Sequence, residues 1–583
     1  MIKRSAAGAA VLVLSACSSE TGVEPMPPQG QNAVIYAAAS VVTMDEAGVT
    51  EAVAVRDGRI IQVGPLDELR GDLPGADTDF TFAEKTLVPG LIDPHVHMAL
   101  SSLQYATPLT PPWPMATPDG MVRGLPTREA FFQGLTDSVA AAPVGEPLIV
   151  YGFHNLVHGD LTKADLDAVT SDRPLVVWHY SSHDFYLNSA ALDWAGIDAS
   201  WHDRFEGVDL DENGELTGRI YEDALGALLN TLGPILLAPD RLTRGLDGFS
   251  ELLRAGGVTT VADLGYGIFT LPLEDANIAG NWRSIDHSGY RLYLVPEHRA
   301  FNAAFGDARV ETVLSMVAGD IETPAPVLPQ VKFFTDAAYY SQTMRISSPG
   351  YLSGQSQGSQ GLWVIEPEDL VPTIQPYWDA GLSVRIHSNG DAAQTATLDA
   401  LEDLRPSDPD RKFVFEHAGL FSPSQIERAA DLSAAISAAS HYVFYLGEAY
   451  QSPLGPDRGK WILPLASLSQ AGVPVTLHSD APLAPPLPLR AASVHMLRST
   501  REGTELTPSE KLSAKEALES ITIDAAYALG LEDEIGSIEI GKRADFTILD
   551  ANPLVTPAQA WPDIEVWGVV IDGEIRPLKP PQQ

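Results

Sequence analysis

Residues 87–97 read LVPGLIDPHVH, an apolar run that ends in two histidines one residue apart. On an extended strand, residues i and i+2 point to the same side, so His95 and His97 can reach one point while Val96 packs the other way. Imidazole is a common protein ligand for zinc and related metals. The pattern alone leaves a second interpretation open, in which the two histidines only hydrogen-bond to their surroundings.

Apolar β-like runs and amphipathic helical stretches alternate through the middle of the chain, which indicates βα units and a parallel sheet. With residues 87–97 these runs supply the eight strands of a TIM barrel. The other seven cover residues 257–263, 291–295, 331–336, 382–387, 412–417, 432–441 and 474–480. A doubly wound open sheet is the alternative, although such sheets collect ligands at one crevice.

Polar side chains stand at the carboxyl ends of six of these strands, the face where barrel enzymes build their sites. They are His97, Asp336, His387, His417, His441 and Asp480. A random scatter of histidine and aspartate would not follow the strand ends in this way. The placement therefore favours the barrel and predicts a site at its mouth.

Both ends of the chain are rich in β-pattern, and we expect residues 32–86 and 535–583 to pair into one small sheet domain. The barrel is then expected over residues 87–103 and 248–534. Residues 104–247 are too long for an ordinary connection. They predict an inserted subdomain, or lid, over the barrel mouth.

Composition excludes several classes of partner. The 583 residues carry 77 acidic and 37 basic side chains, a formal net charge of −40. Such a surface repels phosphate backbones and anionic lipid headgroups, so nucleic acid is not an expected partner. Any contact with a membrane must come from a separate anchor.

The amino terminus predicts such an anchor. Lys3 and Arg4 precede a short apolar stretch, and residues 14–17 resemble the lipobox of a bacterial lipoprotein signal peptide. Cleavage would leave Cys17 as the lipid-modified first residue, with residues 18–31 as a tether. We expect a protein of the bacterial cell envelope, held at the outer membrane and facing the periplasm. An ordinary secretory signal is the alternative.

Cys17 is the only cysteine of the chain, so the mature protein has no disulfide and no cysteine metal ligand apart from that position. Any metal site must rest on histidine, aspartate, glutamate and lysine.

The chain resembles the amidohydrolase superfamily, specifically the branch called amidohydrolase 3 or YtcJ-like. The resemblance covers nearly all of the sequence after the tether and implies a composite β-sandwich from both termini beside the barrel. It is carried by residues 89–97, 182–184, 188–192, 217–218 with Glu222, 331–333, His387 with 390–391, 416–418, 479–482, 535–538, 541–542 and 544–545.

The resemblance implies a site for one or two divalent metal ions, for which we expect zinc. His95 and His97 would bind a first ion, and Asp480 would bind the same ion and transfer the proton during hydrolysis. His387 and His417 would bind a second ion. In a dinuclear site, CO2 would convert Lys332 into a bridging carbamate, an anion that can lie between cations where an ammonium could not.

Three further residues are expected to face the substrate: His183 and Glu222 of the lid, and His441 at the end of the seventh strand. A surface or capping role is the alternative for His183.

Two of the implied metal assignments have structural alternatives. Lys332 could form an ion pair with Asp336 or Asp480 inside the barrel. His387 and His417 could be outer donors around a single ion.

The resulting prediction is a metal-dependent hydrolase of non-peptide carbon–nitrogen bonds in amides, N-formyl compounds or cyclic amides, with a small-molecule substrate. An esterase, or a hydrolase of N-acyl amino acids or dipeptides, could use the same site. A lipid-anchored binding protein without turnover is the third interpretation, and the acid–base aspartate argues against it. The sequence leaves the oligomeric state open, a homodimer included.

Overall fold

Residues 33–578, the part of the chain that the computed structural model describes, form 22 β-strands. In chain order these are β1 (Val34–Val42), β2 (Val49–Arg56), β3 (Arg59–Gly64), β4 (Asp77–Pro89), β5 (Leu91–Val96), β6 (Met115–Thr117), β7 (Gly120–Val122), β8 (Leu148–Phe153), β9 (Leu175–His179), β10 (Asp184–Leu187), β11 (Val208–Leu210), β12 (Leu216–Tyr221), β13 (Val258–Tyr266), β14 (Arg291–Pro296), β15 (Gln330–Phe334), β16 (Ser383–Ser388), β17 (Phe413–His417), β18 (Ala435–Ala439), β19 (Val475–His478), β20 (Phe546–Leu549), β21 (Val566–Ile571) and β22 (Glu574–Pro577).

The same range contains 20 α-helices, most of which lie between strands of the middle region. They are α1 (Leu66–Asp72), α2 (Met98–Tyr105), α3 (Arg128–Ala141), α4 (Asn155–His158), α5 (Lys163–Val169), α6 (Ser189–Ala195), α7 (Leu225–Leu236), α8 (Pro239–Ala255), α9 (Leu271–Asn277), α10 (Ile285–Ser288), α11 (His298–Phe305), α12 (Arg309–Ala318), α13 (Pro367–Asp379), α14 (Asp391–Leu404), α15 (Pro423–Asp431), α16 (Gln451–Arg458), α17 (Leu465–Gln470), α18 (Pro488–Leu497), α19 (Ala514–Glu519) and α20 (Ile523–Leu529). No helix among residues 33–578 is both long enough and apolar enough to cross a bilayer.

Strands from both ends of the described chain form one seven-stranded sheet in the order β22-β21-β20-β4-β1-β2-β3. Successive residues of its strands pack on opposite faces, as the strand period of two requires. Tyr36 and Val53 belong to an apolar cluster on one face, and Ile35 and Ala54 pack with Leu69 of α1 on the other. The two termini therefore share one continuous sheet.

Eight strands of the middle region run in parallel, in one sheet of order β14-β13-β5 and another of order β15-β16-β17-β18-β19. Isolated bridges join the outer strands at both seams, from Val96 to Ala481 and from Glu297 to Lys332. Nearly all residues of these strands are buried, as expected where helices cover a parallel sheet. The region is a TIM-barrel-like α/β domain.

The run 87–97, which the pattern predicts as one strand, is divided at Gly90 in the structure. β4 ends at Pro89 in the terminal sheet, and β5 begins at Leu91 in the barrel. A Cβ atom on Gly90 would lie 2.3 Å from Oγ1 of Thr259, so only glycine fits this crossing. Continuous apolar character hid the division, because residues 87–96 are all buried on both sides of it.

The segment between α2 and α8 carries its own five-stranded sheet, in the order β11-β12-β10-β9-β8. Its aromatic side chains reach the barrel loops: the hydroxyl of Tyr180 donates to the carbonyl of Leu483 at 2.6 Å, and Trp113 stacks on Tyr445 with ring centres 4.4 Å apart. This segment thus contacts the same edge of the barrel-like domain at which the strand-end histidines stand.

Candidate metal centre

The carboxyl ends of β5, β17 and β19 bring histidine and aspartate side chains together. His95 lies in β5 and His97 directly follows it, His417 ends β17, and Asp480 comes two residues after β19. Asp480 and His417 have positive φ angles of 53° and 69°. Such left-handed backbone is strained for residues other than glycine and is frequent at functional sites. Here it turns both side chains toward the strand-end cluster.

His95, His97 and Asp480 form the first ligand group. Nε2 of His97 lies 3.3 Å from Nε2 of His95 and 3.2 Å from Oδ1 of Asp480. Nε2 of His95 lies 3.5 Å from Oδ1 of Asp480. Ligand atoms at about 2.1 Å from a tetrahedral ion are about 3.4 Å apart. The three side chains therefore fit a divalent metal ion as they stand.

The second nitrogen of His95 has a partner that is typical of metal-binding histidines. Nδ1 of His95 lies 2.7 Å from Oε2 of Glu416, whose other oxygen accepts from Nε of Arg385. A proton on Nδ1 that is donated to a carboxylate leaves Nε2 free to bind a metal. Sequence reasoning gave Glu416 and Arg385 no role, although each stands close to a predicted histidine in the same strand.

His478, which sequence reasoning also missed, joins the cluster from the end of β19. Its Nε2 lies 3.1 Å from Nδ1 of His417, and its Nδ1 lies 2.7 Å from Oγ of Ser437. His95, His417 and His478 have ligand atoms within 4.8 Å of one another, so they form a second group that could hold a metal. The sequence signal that could have identified His478 as a site residue is its position two residues before Asp480.

His387 lies at the edge of this cluster. Its ring centre is 4.6 Å from that of His417, and its Nε2 lies 3.0 Å from Nδ2 of Asn389 and 3.1 Å from the carbonyl oxygen of Ala337. It belongs to neither three-residue ligand group found among residues 33–578.

Burial sets the protonation of the cluster. It lowers the pKa of His95, His417 and His478 well below the usual value, and that of His387 to about 3, which favours the neutral imidazole that a metal ligand requires. Burial alone would raise the pKa of the Asp480 carboxyl, but His417 and His97 outweigh it and hold this pKa well below its usual range.

Lys332 is fully buried in β15, and its Nζ has no hydrogen-bond partner among the described residues. Burial lowers its pKa to about 8, although the nearby Glu416 and Asp480 carboxylates oppose this shift. The alternative pairing with Asp336 is not observed. The Asp336 carboxylate instead accepts from the backbone N–H groups of Arg345, Asn389 and Gly390 at 2.8–2.9 Å.

The three residues expected to face the substrate occupy two places. In the lid, Nδ1 of His183 lies 3.2 Å from the carboxylate of Glu222, and both side chains are partly exposed. Burial alone would lower the pKa of His183, but the Glu222 carboxylate reverses this and raises it. His441 is buried against Tyr340, with ring centres 5.5 Å apart, and neither of its nitrogens has a hydrogen-bond partner in the described part of the chain.

Sequence comparison gives an amidohydrolase assignment. Residues 83–278 and 351–577 match the amidohydrolase family, and residues 52–76 match the imidazolonepropionase-like composite domain of bacteria. An N-substituted formamide deformylase of Arthrobacter pascens is 28% identical over 92% of this chain and 97% of its own length. The putative amidohydrolase YtcJ of Bacillus subtilis is also 28% identical, over 91% of this chain and 97% of its own.

The fold is shared with solved structures. An uncharacterized metal-dependent hydrolase from Pyrococcus horikoshii superposes with a TM-score of 0.67 at 20% identity, over 90% of this chain and 99% of that one. A second, from Pyrococcus furiosus, gives a TM-score of 0.63 at 21% identity, over 90% and 100% of the two chains. The family match covers more than half of the sequence, and the chain therefore belongs to the amidohydrolase family and is a hydrolase of carbon–nitrogen bonds other than peptide bonds.

Proposed function

We propose that this amidohydrolase cleaves the carbon–nitrogen bond of amides, N-formyl compounds or cyclic amides. The observation that carries the proposal is the group of His95, His97 and Asp480, whose ligand atoms are spaced for one divalent ion. The similarity to a protein named N-substituted formamide deformylase supports the N-formyl class in particular.

We propose that His95, His97 and Asp480 would hold one ion, for which we propose zinc, and that His387, His417 and a carbamylated Lys332 would hold a second. A bound ion supplies Lewis acidity, which draws electron density from a carbonyl oxygen and lowers the pKa of water toward about 7. The cluster of neutral imidazoles beside one anionic carboxylate supports this assignment, because these are the ligand forms that zinc prefers.

We assign the acid–base step to Asp480. Its carboxylate, which lies beside His97 at the proposed metal position, can accept a proton from the attacking water as the water oxygen bonds to the carbonyl carbon. The same carboxyl then donates that proton to the leaving nitrogen as the carbon–nitrogen bond breaks, which releases an acid and an amine. His183 and Glu222 would contact the substrate from the lid, and His441 from the barrel mouth.

We further propose that Lys332 is carbamylated. CO2 adds only to a neutral amine, and burial lowers the pKa of Lys332 to about 8, which makes that form accessible near neutral pH. A new N–C bond forms and one proton leaves. Intact mass spectrometry should find one added CO2 on Lys332 that is lost in acid, and an unmodified lysine in a protein with two bound ions would contradict the assignment.

We also propose that the two parallel sheets close into one (β/α)8 barrel over residues 87–103 and 248–534, with a composite β-sandwich from residues 32–86 and 535–583. The bridges from Val96 to Ala481 and from Glu297 to Lys332 support closure. Residues 104–247 would form the lid.

The test is a substrate panel with N-formyl, N-acetyl, hydantoin, ester and dipeptide compounds. Enzyme stripped by a chelator and then reloaded with zinc should regain hydrolysis of at least one amide-type compound. Turnover of esters or dipeptides alone would favour the alternative hydrolases. Less than one equivalent of metal per chain, with no activity after zinc is added, would favour a binding protein.

The lipoprotein prediction falls on residues 1–31, outside the described residues, and we propose it as the route to the cell envelope. Expression in a bacterium with labelled palmitate should label the wild-type protein and not the Cys17→Ser variant. Label in neither protein would contradict the anchor.

A further inference from the structure

We propose that the barrel holds an inner cation position made of three histidines, His95, His417 and His478. The inference rests on the proposed metal centre and adds His478, to which the resemblance gives no role. Because all three ligands are neutral imidazoles, the position suits a first-row divalent ion such as zinc, cobalt or nickel.

The surroundings of His478 can accommodate a proton on its Nδ1. Its Nδ1 lies 2.7 Å from Oγ of Ser437 and 3.7 Å from Oε2 of Glu416, and both atoms can accept a proton. With the proton on Nδ1, the lone pair of Nε2 is available. Outer oxygen partners of this kind orient ligand histidines in metal sites.

The free nitrogen faces the other two histidines. Nε2 of His478 lies 3.1 Å from Nδ1 of His417, and the ring centre of His478 is 4.6 Å from that of His95. His95 contributes its Nε2, because its Nδ1 contacts Glu416. The three ligand atoms therefore converge, and the Asp480 carboxylate lies 3.5 Å from both Nε2 of His95 and Nδ1 of His417.

The inner position lies farther from solvent than the group of His95, His97 and Asp480. The side chain of His97 is 18% exposed, whereas those of His95, His417 and His478 are at most 4% exposed. Since His95 has one free nitrogen, the two groups describe alternative positions of one ion. An ion in the inner position also takes His417, so it excludes the second ion proposed above at His387 and His417. An ion in the inner position should therefore remain bound when His97 is removed.

Cobalt binding to the full chain tests this inference. Apoprotein of the wild type, His97→Ala, His478→Ala and the double variant is titrated with cobalt(II), with visible absorption and bound metal as the readouts. We expect His97→Ala to keep one ion and the double variant to bind it at least about tenfold more weakly. His495→Ala in the His97→Ala background is the matched control, since His495 is buried but belongs to neither ligand group.

The outcomes separate the inference from the proposed function. A double variant that binds cobalt as tightly as His97→Ala overturns the inner position, as does a His97→Ala protein that binds none. A wild type that binds no metal overturns the proposed function as well. If His478→Ala does not fold, His478→Gln replaces it, and a His97→Ala/His478→Gln protein that binds cobalt as tightly as His97→Ala would overturn the inference.

Discussion

Nδ1 of His95 lies 2.7 Å from Oε2 of Glu416, and both side chains are fully buried. Arg385, equally buried, holds the opposite oxygen of the same carboxylate. The three side chains form a chain of contacts that starts at the imidazole of His95 and ends on a backbone carbonyl, because Arg385 also donates to the carbonyl oxygen of Ala528. Glu416 thus orients a proposed ligand and neutralises a buried cation.

Glu416→Gln should weaken both metal binding and the fold. The amide keeps the shape of the side chain but leaves the Arg385 charge unpaired, and breaking a buried pair destabilises by about 3–5 kcal/mol. Loss of an outer partner typically lowers metal affinity by about 10–100-fold. Urea unfolding and competition with a chromogenic chelator measure the two effects. The exposed Glu427→Gln is the control, and wild-type affinity in Glu416→Gln would show that Glu416 does not orient His95.

Asp480→Asn should leave the fold intact and lower kcat by at least about 100-fold, because an amide cannot accept and return the proton. The measurement is steady-state turnover of the best substrate from the panel, with circular dichroism to check folding. Asp457→Asn is the matched control, since that side chain is 91% exposed. An Asp480→Asn variant that keeps most of the wild-type kcat would remove Asp480 from the acid–base role.

The sequence pattern predicted the ends of the parallel strands well. The alternation of apolar runs and amphipathic helices is set by residues that are neighbours along the chain, and a sequence shows these directly. The same local information could place His95 and His97 on one side of a strand. It could not find the contact between His95 and Glu416, which joins residues 321 positions apart. It also missed the division at Gly90, which depends on how closely Thr259 approaches.

His478 and His441 show a second limit. Both are histidines near the end of a neighbouring strand, β19 and β18, yet one reaches His417 and the other packs against Tyr340. The difference arises beyond the strand: β18 ends at Ala439 and His441 begins a helical turn, which carries its ring among aromatic side chains. Spacing along the chain contains no information about that turn.

Glu222→Gln should lower the pKa of His183. In the wild type the Glu222 carboxylate raises that pKa, with a further contribution from Asp184 and opposition from Arg299. NMR titration measures it directly, and His183→Asn identifies the resonance. Because the pKa is raised in the folded state, the stability advantage over Glu222→Gln should be present below about pH 6.5, the unfolded value, and lost as the pH rises through the folded pKa. An unchanged titration curve would contradict the pairing.

Arg291→Met should lower the free energy of unfolding, because it removes an ion pair between the terminal sheet and the neighbouring parallel strands. Arg291 begins β14, and its guanidinium contacts the buried Asp545 carboxylate at 3.0 and 3.2 Å and Asp572 at 2.6 Å. Without the arginine, Asp545 keeps a buried charge next to β20, which should lower the free energy of unfolding by about 3–5 kcal/mol. Urea unfolding measures the loss. The double variant Arg291→Met/Asp545→Asn should recover part of it, because residues in contact are not additive. If the single and double variants lose the same free energy of unfolding, the ion pair does not couple the terminal sheet to the parallel strands.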